Sequence, residues 1–570
     1  MAKILIIIGL LAATIAAPFL LRPGESAGLV AAGDVERLII ISPHNESIQA
    51  EFTIGFVRYM KERFERDVYI DWRQPGGTTE IAMFLKSEYA NAFENLWRRE
   101  TGLDFTVPIR DAFTNNKLDS EISTDGTLYN QKLYRVQFDT VPGTIEEARL
   151  LSREMFLRSN VGVGIDLFFG GGAYDFSKQA AAGALVATDS TGKFGPEALN
   201  REHPDWFSES VMPAVVSGEP FRDDAFRWVG AVLSSFGLCY NKDVFARLGV
   251  EAPDQWEDLA DPKLFGQIAL ADPTKSGSAT KAYEMLIQQR IQQVLHSMQM
   301  QARDIVDIEA DAVSIGWEEA IRMILKISAN GRYFTDSATK VPQDVAQGEA
   351  GAGMCIDFYG RTFNEIKKRE DGSSRIEFVM PENGTSIGAD PIGLLRGAPN
   401  PELAHRFIEF VLSTAGQKLW NYRPGTPGGP VRSALRRPPI RKDFYTPENI
   451  VYMTDGEVNP YEQSKDFIYE GKWTGAAFNA LRFAIRCACV DTHIEQREAW
   501  HSLIEAGMPP VALAEFEEVS VINYEQITGP ISETLKSKDK IREVALARDL
   551  SGHFREKYRK VIELCGAENN

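Results

Sequence analysis

Short, wholly apolar segments that run into turns of glycine, serine or threonine, and then into helical periodicity, recur along this 570-residue chain. Leu38-Ile39-Ile40-Ile41 is the first. With no polar alternation it predicts a strand covered on both faces, the habit of parallel sheets. The turn Ser42-Pro43-His44-Asn45-Glu46 follows. Ile48, Phe52, Phe56, Met60 and Phe64 then recur every four residues and put one apolar stripe of a helix on the sheet. Val68 to Trp72 reads as a second strand and Gly76-Gly77-Thr78-Thr79-Glu80 as the turn opening a second helix, which completes a right-handed βαβ unit. Ile165 to Phe169, Ile268 to Leu270 and Met354 to Ile356 repeat the pattern. They end at Gly170-Gly171-Gly172, at Asp272 to Ser278 and at Asp357-Phe358-Tyr359. The class is therefore α/β with mostly parallel sheet.

Other segments organise the chain. Residues 91–150 are polar and read as an insertion. Val229 to Tyr240 is an extended apolar stretch suited to passing between two lobes, and Pro401 to Trp420 reads as one amphipathic helix. Arg423 to Pro439 reads as a loop, because prolines and glycines crowd its first half. Trp473, Phe478, Phe483 and Trp500 predict a folded C-terminal part, and from about Ser532 to the end the dense charge, Lys536 to Lys560, predicts a solvated surface helix pair. Lys3 followed by the 18-residue apolar run Ile4 to Leu21 and then small residues reads as a secretory signal peptide or an uncleaved anchor, residues 1–33, which puts the protein outside the cytoplasmic membrane.

Composition excludes several functions. With 62 Lys+Arg against 80 Asp+Glu, a net charge of −18 repels a phosphate backbone, so no nucleic-acid partner is expected. Five cysteines are too few for a disulfide scaffold and their odd number leaves one unpaired; Cys487 and Cys489 read as buried small residues, not a metal pair. No G-x-S-x-G elbow, Walker loop, G-x-G-x-x-G or H-E-x-x-H is present, no cofactor is expected, and nothing points to an enzyme. Of the seven histidines only His44 falls in a strand-end loop; the other six read as solvated or helix-surface residues.

In open α/β sheets ligands sit beyond the carboxyl ends of strands, where helix N-termini offer unpaired N–H groups and glycine admits close backbone approach. Four loops carry such residues: Ser42 to Asn45, Gly76 to Thr79, Gly170 to Gly172 and Thr274 to Ser278.

The stretch Ser235-Phe236-Gly237-Leu238-Cys239-Tyr240-Asn241-Lys242-Asp243 resembles the G-x-x-Y-N-K-D segment of extracellular solute-binding proteins of ABC transporters. Trp256 to Pro262 and Gly266 to Ser278 resemble that family's following run. The likeness extends through Asp166 to Gly172, Val345 to Gly351, and Asp390-Pro391 to Gly416-Gln417. It is nearest the branch of ferric-ion, thiamine, phosphonate and sugar-phosphate binders. The resemblance implies a type II two-lobed fold closing over a small-molecule or ion solute. Its partners would be a membrane permease and an ATPase, with membrane contact only through the permease or an uncleaved N-terminal segment. The divisions expected are lobe 1 at 34–235, lobe 2 at 236–388, a return to lobe 1 at 389–430 and a helical extension packed on the lobes at 431–570.

The resemblance also frames the ligand. Ferric-binding relatives use an early histidine, a glutamate and two adjacent tyrosines. His44 and Tyr359 match two of these positions, while Phe358 stands where the first tyrosine would be. Loss of that phenolate disfavours ferric ion, which needs hard anionic donors. If the solute were nevertheless ferric, His44, Asp357 and Tyr359 would hold it. A solute with an anionic group, a phosphonate or phosphorylated small molecule, suits the hydroxyl- and glycine-lined helix starts better. Thr78, Thr79, Gly171, Gly172, Thr274, Ser276, Gly277 and Ser278 are then the expected donors, Asp357 and Tyr359 orienting groups, and Ser42, His44 and Ser235 further candidates. Alternatives of other classes are an extracellular enzyme, or a sensory module, on the same scaffold.

Overall fold

The computed structural model describes residues 35–122, 144–301, 308–537 and 539–568; the expected signal or anchor segment and residues 123–143 of the expected insertion lie outside these. β1 (Glu36–Ile41) leads through Asn45 into α1 (Glu46–Phe64), and β2 (Val68–Arg73) through Gly77 into α2 (Thr78–Thr101). Asn45 starts α1 by accepting the Ile48 N–H on its side-chain oxygen at 3.1 Å. The stripe predicted for α1 is buried at Ile48, Phe52, Phe56 and Met60, each side chain worth about 1.5–3 kcal/mol on burial. Beyond α3 (Ile145–Arg158), β3 (Leu167–Phe169) runs into α4 (Ala173–Ala182).

β4 (Val229–Asn241) is buried at all 13 positions. The second half of the sheet adds β5 (Ile268–Ala271), α5 (Gly277–Gln301), α6 (Ile308–Ala329), β6 (Gly331–Thr335), β7 (Ala352–Ile356), α7 (Asp357–Ile366) and β8 (Ile376–Val379). β9 (Ile387–Leu395) returns to the first half, followed by α8 (Pro401–Leu412) and α9 (Thr414–Asn421). Strand order is β2-β1-β3-β9-β4-β7-β5-β6, with β8 also on β4. The outer pairs β1/β2, β1/β3, β5/β7 and β5/β6 are parallel, while β9 and β4 run antiparallel to their neighbours. Positions 229–235 of β4 pair with β9, and positions 236–240 with β7. One strand thus joins two wings of sheet, each covered by helices, in an α/β fold.

Three expectations fail in detail. The polar stretch from residue 91 is no simple insertion. α2 continues to Thr101 and buries Phe93 and Trp97, and Phe93 stacks on Phe113 with ring centroids 5.0 Å apart. Polar neighbours masked an every-fourth-residue aromatic stripe. The helix expected over Pro401 to Trp420 breaks at Ser413, which turns extended and caps α9 through Gly416 N–H at 3.4 Å. The charged C-terminal segment is a short helix, Ser532–Lys536, and a long one, Lys540–Glu568, but the long one has a core face and the pair is not a solvated surface.

That segment belongs to the last section of chain, with α10 (Phe478–Ile485), α11 (His493–Glu505) and α12 (Lys540–Glu568). Phe554, Tyr558 and Val561 of α12 are buried in one apolar cluster with α5, α6 and α10. All five cysteines are buried and free, Cys487 and Cys489 included. Among the described residues no helix is long and apolar enough to cross a membrane.

Candidate functional site

The loops at the strand ends meet where the wings face each other. Gly170 and Gly171 have φ of 91° and 111°, a region other residues avoid. A Cβ on Gly170 would lie 2.4 Å from the His44 ring, and one on Gly171 2.7 Å from the Thr78 methyl. Glycine therefore lets the starts of α2 and α4 close on the His44 loop. From the other wing, a Cβ on Gly277 at the start of α5 would lie 3.9 Å from the carboxylate of Asp175, in the first turn of α4. Three helix starts from two wings thus share one space. Thr78 and Ser278 are half-buried there, and neither hydroxyl has a side-chain hydrogen bond among the described residues.

His44 forms the floor. It is 5% exposed, wedged edge-on against Phe169 (4.7 Å) and Trp420 (5.9 Å); among the described residues neither ring nitrogen has a hydrogen-bond partner, and Nε2 lies 4.0 Å from the Asp390 carboxylate. Burial, reinforced by the nearby Arg437 guanidinium, drives its pKa well below the ordinary histidine value. Arg437 is itself buried, lies over the Phe358 ring at 4.5 Å and pairs with Asp390 at 2.8 Å. Tyr359 reaches across from α7 to bond the Asn45 side chain, and burial pushes its phenol up to about 12. Phe358 is the shelf for this arginine.

Above the floor a second cluster comes from the C-terminal section. Arg482 of α10 donates from Nε to the Pro273 carbonyl at 3.0 Å and from Nη2 to the Thr274 carbonyl at 3.1 Å and the Thr79 hydroxyl at 3.4 Å. Phe478 packs on Tyr174 with centroids 4.5 Å apart, and Lys178 sits over the same Tyr174 ring at 4.3 Å. Burial raises the Asp175 carboxyl against the pull of Arg482 and Lys178, and burial lowers Lys178. Arg482 and Lys178 face Asp175 here, Glu284 acts on the same Tyr174, and the Glu80 carboxylate lies at the start of α2, 3.1 Å from where a Cβ on Gly77 would be.

Not every expected donor is available. Thr274 gives its hydroxyl to Asp272 at 2.7 Å, and the Ser276 hydroxyl accepts Ala279 N–H at 3.2 Å, which caps its own helix. The Ser42 hydroxyl accepts the His44 N–H at 3.1 Å, and Ser235 is buried in β4, where its neighbour Ser234 reaches Asp390 at 3.3 Å. Asp357 turns away from His44 and Tyr359: it pairs with Arg361 and accepts Phe358 N–H at 2.7 Å. Among the described residues no three His, Cys, Asp or Glu side chains gather as a metal site. His405, expected near solvent, is buried and meets Glu202 at 3.1 Å. Sequence reasoning missed Arg437, Asp390, Asp175, Lys178 and Arg482, while Asn45 lay in the loop Ser42 to Asn45 without being singled out. Of the missed residues only Asp390 had a signal, as part of the Asp390-Pro391 pair already matched to the solute binders.

Residues 160–443, close to half the chain, match the family described as bacterial extracellular solute-binding protein. Members of that family are binding proteins rather than enzymes, and extracellular. An uncharacterized protein of Haemophilus influenzae is 26% identical over 257 residues, 45% of this chain and 60% of that one. The phosphoglycerate transport regulatory protein PgtC of Salmonella typhimurium is 22% identical over 191 residues, 34% of this chain and 40% of that one. The chain thus spans less than two thirds of either relative's length. The periplasmic binding protein AfuA from Actinobacillus pleuropneumoniae, solved with fructose-6-phosphate bound, is 18% identical with a TM-score of 0.39, covering 68% of this chain and 82% of that one.

Proposed function

We propose that this protein is the extracytoplasmic solute-binding component of an ABC import system and traps a small solute bearing a phosphoryl or phosphonyl group between its wings. The wings act as the two lobes, and a permease with its ATPase receives the solute. The observation that carries this reading is the meeting of three helix starts, from α2, α4 and α5, with the hydroxyls of Thr78 and Ser278 there and the Arg482 guanidinium at the neighbouring Thr79. Each helix start favours an anion by about 0.3–1 kcal/mol, up to ~2 when partly buried. Two charge-assisted hydrogen bonds add about 1.5–3 kcal/mol each. Together these reach the roughly 8 kcal/mol of a micromolar complex. The solute bridges both wings and stabilises the closed arrangement through contacts it makes only there. The name of the PgtC relative points to a phosphorylated solute as well.

Thermal unfolding with inorganic phosphate, methylphosphonate, phosphoglycerate, ferric ion and putrescine tests this. At a hundred times its dissociation constant a ligand adds about 2.7 kcal/mol to native stability. Phosphorus oxyanions are expected to raise the midpoint. A rise with ferric ion or putrescine alone overturns the reading.

A further inference from the structure

The last section of the chain is held to both wings. The Tyr469 N–H donates to the Ser217 carbonyl at 2.7 Å, and Ser217 donates to the Ser464 carbonyl at 2.7 Å. On the other side, Gln288 of α5 donates to the Glu470 carbonyl at 3.0 Å and to Thr474 at 2.8 Å, while Tyr469 and Thr474 both donate to Glu284 at 2.8 and 2.6 Å. Behind Arg482, α10 buries Phe478, Leu481, Phe483 and Ile485. The guanidinium therefore rests on a fixed helix, over the space where the starts of α2 and α5 meet.

Its contacts are those of a cation without a counter-ion. All three acceptors are neutral oxygens, and the longest, to Thr79 at 3.4 Å, is the weakest. Among the described residues no carboxylate lies within ion-pair distance of it; Asp175 acts on it only through space. A guanidinium offers five donors in a planar fork matched to the oxygens of a phosphate or carboxylate, and is weakly hydrated, so it suits a partly buried site.

We infer that the C-terminal section forms one wall of the solute site, and that Arg482 is a specificity-determining residue that meets the solute's phosphoryl oxygens. This rests on the anion reading above and adds a contact from a segment outside the matched residues 160–443. An oxyanion beside Thr78, Gly172 and Ser278 takes the donor now spent on Thr79, and keeps the guanidinium's bonds to Pro273 and Thr274.

Calorimetric titration of the full chain with inorganic phosphate and methylphosphonate, on the wild type, Arg482→Lys, Arg482→Met and Thr78→Val/Ser278→Ala, tests it. Arg482→Met is expected to weaken binding about ten- to a hundredfold, and Arg482→Lys less than tenfold, with the unliganded melting points of both near wild type. If Arg482→Met binds like wild type while Thr78→Val/Ser278→Ala is weakened, Arg482 has no such role and the anion reading stands. If Lys and Met weaken binding equally and both lower the unliganded melting point, Arg482 is a tether and the inference fails. If the wild type binds neither anion, the inference and the reading beneath it both fall.

Discussion

At His44 an imidazole with no hydrogen-bond partner among the described residues lies between Phe169 and Trp420, beside a buried arginine and 4.0 Å from Asp390, and burial holds its pKa well below the ordinary histidine value. His493, bonded to the Ser328 carbonyl at 3.2 Å, is likewise held down, at about 4, chiefly by burial. Both folded pKa values lie below the unfolded one near 6.5. As pH falls below that value the unfolded chain takes up protons the folded chain refuses, so stability declines with acid. For His493 the loss by pH 4 is roughly 2–3 kcal/mol. His44→Phe and His493→Gln are each expected to flatten the fall in melting temperature between pH 7 and 4.5, followed by calorimetry; wild-type slopes in both would contradict buried neutral rings. Residues such as His44, Thr78 and Gly171 were legible because each sits in a strand-end loop whose place follows from local pattern. Arg437 and Arg482 were not. One lies in a proline-rich loop and one on a short apolar helix, and only long-range packing brings either guanidinium to the cleft.

The elements were legible where periodicity is local. β1, α1, β2 and the passage of β4 between the wings follow from apolar runs and four-residue spacing, whereas the extension of α2 past residue 91, the break at Ser413 and the core face of α12 do not. In each of those cases a few side chains outweigh their surroundings: Phe93 and Trp97 amid polar residues, a serine cap inside an amphipathic run, and Phe554 and Tyr558 amid charge. Glu51 shows how an element can serve the site from a distance. It is buried on α1, and its carboxylate accepts the backbone N–H groups of Val431, Arg432 and Ser433 at 2.7, 2.6 and 2.7 Å. That clamp fixes the loop leading to Arg437. Glu51→Gln turns an amide N–H₂ toward these donors and is expected to cost about 2–4 kcal/mol, read as a lowered urea midpoint. An unchanged midpoint would mean the loop holds its shape without the clamp.

Across the whole molecule, β4 runs through both wings, and the last section of chain shares an apolar cluster with α5 and α6 while touching the first wing at Ser217 and Thr79. The two-lobed plan was readable, since it follows from strand ends and one long apolar strand. Trp473, Phe478, Phe483 and Trp500 made the C-terminal section readable as a folded extension packed on the lobes, but not its place beside the helix starts, because that rests on where long-range packing carries Arg482. The central claim is that an anion lies between the wings at the helix starts. Crystals of the full chain grown with whichever phosphorus oxyanion binds in solution test it most directly. The account predicts its oxygens within hydrogen-bond distance of Thr78, the Gly171–Gly172 amides and Ser278. Well-ordered anion density only at an outer face, such as the hollow of about 540 Å³ lined by Arg361, Arg436 and Asp455, would contradict it.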